Sequence, residues 1–114
     1  MRKEKYLELV GSGPKPGKEK EYREWYRKHI DDMFKFGGLK RVSLNRMYQP
    51  VGEKGPQSPL YVTIYEFDSK EAVADFYKKI MVPSAGGPLK NDLLPDSVDV
   101  FWSGYYEPVE TLEK

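Results

Sequence analysis

With 114 residues, the chain is long enough for one core and too short for a cofactor domain beside a substrate domain. Its 19 Lys and Arg against 18 Asp and Glu leave a formal net charge of +1, and no long single-sign block resembles the basic footprint of a nucleic-acid binder. The lack of cysteine excludes a disulfide scaffold, thiol catalysis and any cysteine-held zinc or iron–sulfur centre.

The start, Met1-Arg2-Lys3-Glu4-Lys5, is charged, and no apolar run approaches the roughly 18 residues of a membrane span. Neither a signal peptide nor an anchor is expected, which makes the cytoplasm the default location. Aromatic residues make up 14% of the chain, and nine of them are tyrosines, whose polar end needs a partner when the ring is buried.

Tyr6 to Val10 alternates apolar and polar side chains and runs into Gly11-Ser12-Gly13-Pro14, so a short first strand and a turn are expected. Lys18 to about Phe36 reads as a helix, because Tyr22, Trp25, Tyr26, His29, Ile30, Met33 and Phe36 recur at the three-and-four spacing of one face. Gly37-Gly38 supplies the left-handed residue that ends it. Leu39 to Gln49 reads as a second strand, with Val42, Leu44 and Tyr48 on one face and Arg41, Ser43, Asn45 and Met47 on the other.

After a loop over Val51 to Pro59, the third strand, Leu60 to Phe67, is apolar or aromatic on both faces. Asp68-Ser69 offers an N-cap for a second helix through about Ile80, with Ala72, Val73, Phe76, Tyr77 and Ile80 facing inward. Met81 to Ser97 carries three prolines and the Gly86-Gly87 pair and is expected to be a covering loop. The last strand, Val98 to about Glu107, divides into Val98, Val100, Trp102 and Tyr106 against Phe101 and Tyr105. Pro108 to Lys114 is a polar tail, leaving residues 1–107 as a single domain.

Strand, helix, strand, strand, helix, strand is the ferredoxin-like order: an α+β fold with a four-stranded antiparallel sheet and both helices on one face. Two helices can cover only that face. One aromatic phase of the third and fourth strands is therefore expected to meet a second copy, giving a homodimer.

His29 is the only histidine, and its imidazole could titrate near neutral pH, so it is the candidate general acid or base. Asp32, three residues on, could reach back over the turn to orient it, or could simply be solvated. Tyr22, Trp25 and Tyr26 share its stripe and either wall a pocket or fill the core. Arg46 is the odd charge in the Val42, Leu44, Tyr48 phase; it either sets a fixed positive charge in the pocket or snorkels at the strand end. A satisfied core histidine fits the same pattern. Other chemistries fail by spacing. Gly11-Ser12-Gly13-Pro14 puts a proline where a phosphate loop needs amides, one histidine with scattered carboxylates gives no metal spacing, and neither Ser43 nor Ser103 sits in a nucleophile elbow.

The run Glu21-Tyr22-Arg23-Glu24-Trp25-Tyr26-Arg27-Lys28-His29-Ile30-Asp31-Asp32, with Gly37-Gly38-Leu39 and an arginine-bearing strand after it, resembles dimeric α+β barrel proteins. The likeness is to their first helix and second strand, in particular those of the EthD-like and prodigiosin-pathway-associated (REDY-like) branches. It implies a homodimer whose sheets close into a barrel, with a cavity in each subunit between sheet and helices. It also implies a small cofactor-independent enzyme acting on an aromatic or polyketide-like small molecule. A haem-degrading branch carries its histidine on the second helix, where this chain has none, which argues against haem. On this reading His29 is the acid/base, Asp32 orients it, and Tyr22, Trp25, Tyr26 and Arg46 meet the substrate, with no metal, nucleic acid or membrane involved. The alternative is a non-catalytic homodimer that binds a small ligand or plays a structural part.

Overall fold

The computed structural model describes residues 5–48, 61–81 and 96–114, and the loops expected at 51–59 and across most of 81–97 lie outside them. The element order is β1 (Tyr6–Pro14), α1 (Glu19–Met33), β2 (Leu39–Arg46), β3 (Tyr61–Phe67), α2 (Lys70–Met81) and β4 (Val98–Tyr106). The strands form one antiparallel sheet in the order β2-β3-β1-β4, the ferredoxin-like α+β arrangement.

The first strand does not turn at Gly11. It continues to Pro14 because β1 is central and both neighbours use its backbone ladder. Gly11 is there for packing: a Cβ at that position would lie 2.3 Å from Cε2 of Trp102. Ser12 turns the other way and bonds the Tyr22 hydroxyl at 2.8 Å.

A register shift between Gly11 and Ser12 corrects the reading of the last strand. Gly11 pairs with Trp102 and Ser12 with Val100, so Phe101 is an extra residue. Side chains alternate with a period of two, and one extra residue exchanges the faces beyond it. Val98, Val100, Ser103 and Tyr105 therefore line the helix side, while Trp102 and Tyr106 register with Gly11 and Leu7 on the opposite face.

Tyr61, Thr63, Tyr65 and Phe67 of β3 are buried beneath the helices. The aromatic phase of this strand thus faces inward, and Val62 and Ile64, only half-buried, face out. Ser69 caps α2 as expected, its Oγ accepting the Ala72 N–H at 3.1 Å. Phe76 is buried among Met33, Phe36, Tyr65 and Phe67, with Ala72, Val73 and Ile80 beside it. Tyr77, by contrast, is half exposed and sets its ring edge against Tyr105, 5.8 Å between centroids.

α1 ends at Met33, earlier than its apolar stripe suggests, and Phe36 enters the core from the following turn with its edge toward Phe76, 4.8 Å away. Gly38 makes that turn possible. Its φ is +86°, and an added Cβ would lie 2.3 Å from the Ala72 Cβ, whereas Gly37 has open space. Gly38→Ala should therefore lower stability by about 1–3 kcal/mol and Gly37→Ala by no more than about 0.5 kcal/mol, read from urea unfolding midpoints.

Candidate functional site

The buried face of α1 consists of Tyr22, Tyr26, His29 and Met33. Three of these carry a polar tip, and each tip meets a side chain of the sheet. The Tyr22 hydroxyl pairs with Ser12 Oγ of β1 at 2.8 Å, the Tyr26 hydroxyl with Thr63 Oγ1 of β3, and His29 Nε2 with the Tyr65 hydroxyl of β3 at 3.1 Å. Among the described residues no buried side-chain nitrogen or oxygen lacks a partner.

Beside this seam lies a cavity of about 330 Å³. Trp25, Tyr26, His29 and Met33 line it from α1, Ile80 from α2, and Tyr65 from β3. Glu8, Val10 and Ser12 of the central strand form its floor, and Val98, Val100, Ser103 and Tyr105 of β4 complete it. The His29 ring stacks on Trp25 with centroids 4.6 Å apart and planes 17° from parallel, and Tyr65 stands perpendicular to it.

The structure brings Trp25, Tyr26 and His29 together on one cavity wall. Tyr22 is not on it: the ring is fully enclosed, packed against Tyr26 and Tyr61 at 5.1 and 5.0 Å. Asp32 does not orient His29 through a hydrogen bond. Its carboxylate accepts from Lys35 Nζ at 3.2 Å, one turn toward the helix end, and the imidazole takes the Tyr65 hydroxyl instead. Arg46 shares the inward phase of β2 and registers with Tyr61, but it ends the edge strand, is exposed and does not reach the cavity, which lies over β3, β1 and β4.

Burial lowers the His29 pKa to about 4, with the Asp32 charge opposing the shift. The imidazole is therefore neutral at physiological pH, one nitrogen engaged by a phenol.

The residue that the sequence pattern concealed is Glu8. Register places it between Tyr65 and Tyr105, in a row that runs Val42, Tyr65, Glu8, Tyr105 across the sheet. Burial pushes its carboxyl up to about 7. Its charge in turn adds to the burial that holds the Tyr65 and Tyr105 hydroxyls above their usual range. No lysine or arginine is among the described residues that line the cavity. The signal available in the sequence was a charge between Tyr6 and Val10, but the neighbouring Leu7 and Leu9 made that phase look like the solvent side. The place of Ser103 and Tyr105 on the cavity wall was not legible because the bulge exchanges the faces of β4. Among the described residues, no group of three or more histidines and carboxylates could hold a metal ion, and no helix is long and apolar enough to cross a membrane.

No protein-family model and no curated protein matches the chain. Solved structures do. A candidate monooxygenase from Shewanella loihica PV-4 superposes with a TM-score of 0.63 at 10% identity, covering 97% of this chain and 100% of the other. An ethyl tert-butyl ether (EthD) family protein from Bacillus halodurans C-125 gives 0.54 at 14% identity, covering 89% and 96%. The solution structure of an Arabidopsis thaliana protein gives 0.53 at 18%, covering 98% and 94%. What they share is the fold. At such identities the likeness carries no residue roles.

The two titratable groups of the cavity act on stability in opposite directions. Glu8 binds its proton more tightly folded than unfolded, so its contribution falls as pH rises from about 4.5 to about 7. His29 binds its proton less tightly folded, so its contribution is lost as pH falls from about 6.5 to about 4. Between about pH 4.5 and 6.5 the two slopes oppose. In thermal melts across that window, Glu8→Gln should make the melting temperature climb more steeply with pH than in the wild type, and His29→Gln should make it decline. Superimposable profiles for wild type and Glu8→Gln would contradict a buried Glu8.

Proposed function

We propose that the chain is a small cofactor-independent enzyme that works by acid/base chemistry on an aromatic or polyketide-like small molecule held between sheet and helices. One observation carries this reading: the hydrogen-bonded His29–Tyr65 pair opens onto a cavity of about 330 Å³ whose wall includes the rings of Trp25 and Tyr26. The volume lies at the small end of the range of ligand pockets, about 300–1,000 Å³. A flat ring can lie against these aromatic faces, and the imidazole–phenol pair can exchange a proton with a substrate oxygen. The likeness to a candidate monooxygenase favours an enzyme on this fold.

The same reading takes the protein to be a cytoplasmic homodimer joined through the helix-free face of the sheet. In its support, Trp102 and Tyr106 are 39% and 49% exposed there, next to the half-buried Leu7, Leu9, Val62 and Ile64. A second reading, a non-catalytic ligand-binding protein, is favoured by the enclosure of His29. An imidazole 8% exposed, stacked on Trp25 and neutral at pH 7, is also what a structural histidine looks like.

Light scattering at micromolar concentration should return twice the monomer mass, and Ile64→Glu should reduce it to a monomer. For the pocket, 2-naphthol should quench Trp25 fluorescence saturably in a Trp102→Phe background. If His29 is catalytic, His29→Ala leaves the fold near wild-type stability and keeps naphthol binding. If it is structural, the same change costs about 1–3 kcal/mol, read from urea unfolding, as the Tyr65 hydroxyl loses its partner.

A further inference from the structure

We infer that Glu8 is the general base of this cavity and that the substrate is a neutral aromatic carbon acid, a flat molecule with a removable C–H proton beside a carbonyl or a comparable electron sink. This rests on the reading of the cavity as a substrate site and adds the side chain that takes the carbon-bound proton.

The geometry comes first. Glu8 is on the central strand of the sheet, facing the cavity, with a phenol from each neighbouring strand beside it on the ladder: Tyr65 from β3 and Tyr105 from β4. It has neither a hydrogen bond nor an ion pair with any described residue. Glu8 is half-buried, with its carboxyl desolvated by the cavity walls, and a carboxyl so placed beside an apolar pocket is characteristic of acid/base sites. Among the described residues the other titratable groups around it are Tyr65 from β3, Tyr105 from β4, and Tyr26 and His29 from α1; α2 contributes Ile80 to the cavity, and Tyr77 packs against Tyr105. None of these is a cation at neutral pH, His29 included. Among the described lining residues an anionic substrate would find no counter-charge, so a neutral one fits.

The chemistry balances without a further reactant. A carboxylate oxygen of Glu8 forms an O–H bond to the departing proton. The C–H electron pair becomes the new C=C bond, and the carbonyl π pair moves onto oxygen. That oxygen is then stabilised by hydrogen bonds from the flanking phenols, of which Tyr65 is held by His29. Returning the proton from Glu8 to that oxygen completes a keto–enol tautomerisation and regenerates the carboxylate. Desolvation, which brings Glu8 up to about 7, gives a carboxylate basic enough for the first step and still partly ionised at neutral pH.

The probe is 5-nitrobenzisoxazole, a neutral aromatic carbon acid whose ring opens when a base removes its lone heterocyclic C–H. The N–O bond breaks, the carbon becomes a nitrile, and the product is a coloured phenolate. The protein should open the ring saturably, with a rate that rises with pH and levels off above about 7. Glu8→Gln should lose about 100-fold or more of that rate while still binding 2-naphthol, and Glu8→Asp should restore part of it. Turnover that survives Glu8→Gln, or no turnover by a wild-type protein that binds naphthol, overturns the assignment of Glu8 and leaves the pocket reading standing. Failure to bind either aromatic compound overturns both.

Discussion

The structure depends on a seam of hydrogen bonds between one helix and one sheet. α1 buries Tyr22, Tyr26 and His29, and each can be buried only because Ser12, Thr63 or Tyr65 stands opposite to take its polar tip. A hydrogen bond of this kind contributes only about 0.5–1.5 kcal/mol net, but leaving one unmade in the interior costs about 1–3 kcal/mol. Apolar side chains would tolerate several rotations of the helix on the sheet. The three polar tips tolerate one, because they are spaced along the helix face and their partners along β1 and β3. Met33 and Phe36 then continue the same face into the apolar cluster around Phe76.

The cavity is a consequence of that docking together with one irregularity in the sheet. The seam holds α1 over β1 and β3 and leaves Trp25 and His29 at its border. The bulge opposite Gly11 sends Ser103 and Tyr105 inward and Trp102 outward, where the indole lies flat over the glycine. Without the extra residue the inward positions would fall on Trp102 and Tyr106, whose bulk would change the volume beside Glu8. A packing glycine on one strand and a bulge on its neighbour thus decide what the cavity contains.

The electrostatics of the cavity follow from its walls. Desolvation moves Glu8 upward and His29 downward, so near neutrality the imidazole is uncharged and the carboxyl is close to its own midpoint. With no lysine or arginine among the described lining residues, no cation there draws Glu8 back toward its usual range, and the Asp32 charge only partly offsets the shift of His29. The group that changes charge near pH 7 is therefore the carboxyl rather than the imidazole, the reverse of what unperturbed values suggest.

The sequence by itself determined the element order and the inward stripe of α1, because an amphipathic period and a capping serine are local properties that 15 or so residues carry unaided. It also pointed to His29, the single group of its type. The partners were not legible in it. Which residue meets His29 depends on the register of β3 beneath α1, and that register placed Tyr65 rather than Asp32 against the ring. The position of Glu8 depends on which phase of β1 the helices cover, and the apolar Leu7 and Leu9 on either side of it pointed to the opposite phase. Arg46 was read in the correct phase but at an edge strand whose distance from the cavity only the strand order reveals. Periodicity within a segment is written in the chain, whereas the pairing of segments is decided by contacts between residues far apart in it, and the candidate site is built almost wholly from such contacts.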